Sequence, residues 1–133
     1  MLWGLAGFLV FQLAPAFGLP PELPGMPAAD LLSRQIWWWG CALATATAIF
    51  GIARFRNWPA IIIGGILVLI PHVIGAPPQP EEVSTVPAHL ATSFAASALG
   101  TGALFWLSVG PLYGWLVERL AQRPAPAGKA VTA

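Results

Sequence analysis

A chain of 133 residues that is 57% hydrophobic and 8% charged, with a mean hydropathy of +0.74, reads as a membrane protein, since an ordinary soluble domain is about one quarter charged. A net charge of +1 without a basic cluster excludes a nucleic-acid surface, because neutralising a phosphate backbone takes grouped Lys and Arg. The single cysteine, Cys41, has no partner for an intramolecular disulfide and says nothing about redox compartment.

Four apolar stretches approach or reach the roughly 17 to 25 residues that a spanning helix needs. They run from about Leu2 to Leu19, Leu31 to Ala53, Trp58 to Ile74 and Ala88 to Val117. The expected fold is an all-α membrane protein whose four transmembrane helices form two helical hairpins within residues 1–121. In the first stretch Ala14-Pro15-Ala16 resembles a signal-peptide cleavage site. No Lys or Arg precedes the apolar run, however, and Trp3 and Gln12 suit a retained helix.

The second stretch carries Arg34 one turn from its start, where it can snorkel or pair with Asp30 at i,i+4. Trp37, Trp38 and Trp39 follow and read as an interfacial aromatic belt, and Thr45 and Thr47 are expected to bond to their own helix or a neighbour. Arg54 and Arg56 lie in the tight connection to the third stretch, and Arg119, Arg123 and Lys129 follow the fourth. The other two connections hold Glu22, Asp30, Glu81 and Glu82, so both termini are placed in the cytoplasm. In the fourth stretch Gly110-Pro111 predicts a kink, and Ser93, Ala96, Ser97 and Gly100 form small-residue steps that Gly64-Gly65 can receive. Residues 122–133, rich in Pro and Ala, are expected to form a disordered tail.

The two outer connections repeat a pattern. Pro15 answers Pro71, Gly18 answers Gly75, Pro20-Pro21 answers Pro77-Pro78, and Met26-Pro27-Ala28 answers Val86-Pro87-Ala88. Shared loop chemistry alone can produce such a match. As a parallel internal repeat it predicts two hairpins related by an axis along the membrane normal, with converging outer mouths.

Two histidines flank one of these connections. Pro71 lacks an N–H and frees the carbonyl of Leu67 beside His72, so something polar should face that point. His89 falls in the first turn of the fourth helix, where the helix dipole disfavours imidazolium and so favours the neutral form that binds metal. With oxygen ligands from Glu81 or Glu82 and from Asp30 or Glu22, the pair suits Co²⁺, Ni²⁺ or Zn²⁺. The competing reading makes both histidines interfacial hydrogen-bonding groups. No nucleophile with a base, phosphate-cradling loop or paired intramembrane carboxylate is present, so neither an enzyme nor a resident cofactor is expected.

The segments PPELPGMPAADLLSRQ (Pro20 to Gln35), PHVIGAPPQPEE (Pro71 to Glu82), VPAHLATSFAASAL (Val86 to Leu99) and ALFW (Ala103 to Trp106) resemble the CbtA family, predicted cobalt transporter subunits of bacterial inner membranes. The resemblance spans nearly the whole chain before the tail. It implies a role in cobalt uptake linked to cobalamin supply, together with a small one-span companion subunit bearing a histidine-containing motif. Members are usually longer, with further membrane segments ahead of the point where Met1 stands. Glu22, Asp30, His72, Glu81, Glu82 and His89 fall inside the matching motifs and are the candidate metal-binding residues. The alternative, from a different class, is a small structural subunit packed at the rim of a larger membrane complex.

Overall fold

The computed structural model describes residues 2–81 and 84–122. Among these the regular structure is all helical: α1, Leu2–Ala16; α2, Leu31–Phe55; α3, Trp58–Ile74; and α4, Ala88–Ala121. α2 and α4 are long and apolar enough to cross a membrane, whereas α1 and α3 are shorter apolar helices. The tail from Arg123 onward, and with it Lys129, lies outside the described residues.

Local chemistry explains where each helix starts and stops. Asp30 caps α2 by accepting the N–H of Ser33 at 3.0 Å, and Asn57 caps α3 by accepting that of Ala60 at 2.9 Å, satisfying donors that a helix start otherwise leaves free. Between them Arg56 adopts a left-handed conformation (φ 50°) that ends α2. The turn to α3 is therefore tight, with Pro59 seated in the first helical turn, where its missing N–H does no harm. α1 stops at Ala16, short of the expected Leu19. The N–H groups of Gly18 and Leu19 turn back onto the Pro15 carbonyl at 3.2 and 2.9 Å, and Pro20-Pro21 cannot prolong a helix. α2 and α4 instead run on to Phe55 and Ala121, beyond the expected Ala53 and Val117, and α4 stays helical through Pro111.

Within α1, Leu9–Leu13 form a π-turn closed by the N–H of Ala14 on the Leu9 carbonyl. Pro15 accounts for it. A proline ring collides with the carbonyl four residues back, here that of Phe11, and the wider turn relieves the collision.

Packing then pairs the helices as α2 with α3 and α1 with α4. Gly64 of α3 lies under Ile52 and Ala48 of α2, so the two backbones approach closely. α1 runs antiparallel to α4: a Cβ at Gly4 would strike the Trp106 backbone carbonyl, one at Gly7 the Trp106 indole, and one at Gly102 the Gln12 amide. Phe11 ties α1 to both neighbours, stacking on Trp38 and Trp106 with centroids 6.1 and 5.8 Å away.

This corrects the expected seam between α3 and α4. Gly65 and Gly100 face open space, and α3 and α4 share no substantial interface among the described residues. Close approach on α4 comes from Gly102, two residues past the small-residue stripe, and is directed at α1. Elsewhere α4 is mostly exposed or half-buried, with Gly102 its one buried residue.

Candidate functional site

The two proline-rich connections meet at the end of the bundle where α1 and α3 stop. Their meeting point is Glu22. Its Oε1 accepts the Gln79 amide at 2.9 Å, across 57 positions of sequence, and its Oε2 lies 3.0 Å from Nη2 of Arg34 in the first turn of α2. The Glu22 side chain is 10% exposed and that of Arg34 30%. The carboxylate therefore sits below the surface with one neutral and one cationic partner, the compensation a desolvated charge requires.

Beneath this ion pair lies a cavity of about 600 Å³, walled by Phe11, Trp38 and Trp39 and presenting Gln12, Gln35, Arg34 and Glu22. Two polar atoms of the residues around it are buried without a partner, Gln12 Oε1, which is turned toward Gly102, and Arg34 Nε. An orphaned buried amide oxygen or guanidinium nitrogen costs free energy.

His72 occupies a second, adjoining groove. Its ring lies edge-on to Trp37, with centroids 5.7 Å apart, and to Phe17 at 6.1 Å. This groove, about 740 Å³, is largely apolar, lined by Leu13, Val68 and Thr45 among others. Thr45 Oγ1 is buried there without a partner, contrary to the hydrogen bond expected of it. The polar group that meets the proline-disturbed end of α3 is an indole: Trp37 Nε1 donates to the Pro71 carbonyl at 3.1 Å. Trp37 is thus a core residue, 9% exposed, and only Trp39, at 54%, fits the belt expected of all three tryptophans.

The remaining candidates are peripheral. Asp30 Oδ2 accepts both the backbone N–H and the hydroxyl of Ser33, at 3.0 and 3.1 Å, so it caps α2 and leaves Arg34 to Glu22. These bonds, the backbone one foremost, hold its carboxyl below the ordinary aspartate value. The cap is accordingly complete at neutral pH, and its contribution is lost as pH falls through that lowered value. Glu81 and His89 are exposed, the one in the loop and the other in the first turn of α4, while Glu82 lies outside the described residues. No three His, Cys, Asp or Glu side chains gather into a metal cage among the described residues.

The structure thus brings Glu22 together with Arg34 and Gln79, a grouping that ligand spacing alone did not reveal, and Gln12 lines the same cavity. Gln12 had its own signal, as the one amide in an otherwise apolar first helix.

The model of one protein family, described as "Probable cobalt transporter subunit (CbtA)", matches residues 1–118 of the chain. No curated protein and no solved structure matches it.

Proposed function

Since the chain belongs to the CbtA family of probable cobalt transporter subunits, we propose that it is an integral subunit of a bacterial inner-membrane system for uptake of divalent cobalt, with the ion entering where the two proline-rich loops meet. The observation that carries this reading is Glu22, a carboxylate nine-tenths buried at the mouth of a polar cavity and held by residues of both halves of the chain. Carboxylates set this deep in a membrane protein, even when paired, often mark ion or proton paths. Asp30, Glu81 and His89, at the same end of the bundle, and Glu82, next to Glu81 in sequence, add polar and acidic groups that draw a cation toward the mouth. Glu22 is the inner ligand, and His72 serves the adjoining groove. Ni²⁺ and Zn²⁺ share this ligand chemistry, and the family favours Co²⁺.

The mouth faces outward and both termini face the cytoplasm, a reading supported by Arg54 and Arg56 at the opposite turn and Arg119 at the far end of α4. Cysteines introduced at Glu81 and at Gln122 should react with an impermeant reagent from opposite sides. Native Cys41, 1% exposed, adds little background. Labelling of both from one side would reject this topology.

The helix pairing also supports a parallel repeat. A two-fold axis exchanging α1 with α3 and α2 with α4 turns the α2·α3 pair into α4·α1, and these are the two principal pairings. The prolines Pro15 and Pro71 are both buried at the ends of the helices so exchanged. The long exposed face of α4 is where a one-span companion subunit packs.

Cobalt accumulation by cells that depend on this system tests the proposal. Glu22→Gln, and His72→Ala with His89→Ala together, should each cut uptake by about tenfold or more while the chain remains in the membrane at native level. Full uptake by both variants would favour the structural-subunit alternative.

A further inference from the structure

The ion pair at the mouth is unusual for its cation. Arg34 stands in the first turn of α2, where the helix dipole disfavours positive charge, at an end of the bundle that otherwise carries Glu22, Asp30 and Glu81. It bypasses Asp30, the partner one turn back that helix geometry offers, and reaches a loop carboxylate instead. The reach is through Nη2 at 3.0 Å, and Nε is left buried without a partner. Meanwhile both Ser33 bonds to Asp30 land on Oδ2, so Oδ1 is available to Arg34. Two carboxylates thus flank one arginine, and only the more buried one holds it.

Resting on the transport reading above, we propose that Arg34 is a tethered gate. It neutralises Glu22 while the site holds no ion, and an entering divalent cation displaces its guanidinium onto Asp30 and takes Glu22 Oε2 as an oxygen ligand. The charge arithmetic makes the gate a filter. A monovalent ion replacing Arg34 exchanges one positive charge for another and gains nothing, whereas a divalent ion leaves the mouth one charge more positive and binds the carboxylate more strongly. The cavity, about 600 Å³, equals roughly twenty times the 30 Å³ that a water occupies in the liquid, so the ion can enter with much of its hydration shell.

Calorimetric titration of the full chain in lipid nanodiscs with CoCl₂ tests the gate. Arg34→Gln, which removes the competing charge, should bind Co²⁺ about tenfold more tightly than the native chain. Asp30→Asn should bind it roughly three- to tenfold more weakly, because the displaced arginine loses its second seat, while asparagine keeps the helix cap. Glu22→Gln should show no saturable binding. If Arg34→Gln fails to fold, Arg34→Lys, expected near the native affinity, and Asp30→Asn decide the matter. Loss of binding in Glu22→Gln with unchanged affinity in the Arg34 and Asp30 variants overturns the gate and leaves the Glu22 site standing. Equal binding by the native chain and Glu22→Gln overturns the cation site itself.

Discussion

Trp37→Ala should destabilise the bundle by about 3–5 kcal/mol, the range for deleting a large buried aromatic side chain. Three contacts end with it. The indole N–H leaves the Pro71 carbonyl, bonded at 3.1 Å. The ring leaves the hollow beside Gly18, where a Cβ would collide with it. His72 loses its edge-on neighbour. Trp37→Phe keeps most of the ring and removes the donor, so its cost should fall to about 1–2 kcal/mol. Trp39→Ala, at a position 54% exposed, should change stability by about 0.5 kcal/mol or less. Unfolding of the three variants in mixed detergent micelles gives the order directly. Equal losses at 37 and 39 would show that the indole does not pin the end of α3.

Gly4→Leu should separate α1 from α4, while Gly100→Leu should leave them together. At Gly4 the obstacle is the Trp106 carbonyl, a backbone atom that cannot rotate away, so the cost should exceed the roughly 1–3 kcal/mol typical of overpacking a core. Gly102→Leu should act similarly but less severely, since the Gln12 amide in its way is the end of a flexible side chain. Gly100 has nothing within van der Waals reach, and replacing it should stabilise the helix by up to about 1 kcal/mol through propensity alone. A disulfide between cysteines placed at Gly7 and Trp106 reports whether the two helices still meet. Efficient cross-linking in the Gly4→Leu background would contradict this packing.

The helices were legible because apolar run length and caps are local properties. Asp30, Asn57 and Pro87 mark starts that the chain adopts at the expected residues 31, 58 and 88. Partner choice was not legible, because several glycines offer the same opportunity in sequence and only the three-dimensional path decides among them. Gly100 and Gly102 are both small, yet one faces emptiness and the other receives Gln12. The site was half legible for a related reason. Glu22 belonged to the expected ligand set, but a bond to Gln79 and an ion pair with Arg34 depend on how two loops fold over the helix ends, which no spacing rule encodes. The tryptophan triplet misled because composition suggests a belt, whereas a helix turns successive residues through about 100° and so points Trp37 and Trp39 to different surroundings.

The pairing of α1 with α4 has a consequence for biogenesis. The α2–α3 hairpin, closed by the turn at Arg56-Asn57, can form as soon as α3 leaves the ribosome. α1 must wait, because its glycine-lined face is complementary to Trp106 and Gly102, which are synthesised roughly ninety residues later. At about 5–20 residues per second that face stands bare in the bilayer for some seconds, able to bind an insertase or to engage the wrong helix. Assembly of this bundle is therefore a race between the ribosome and misassociation, decided at the moment α4 arrives.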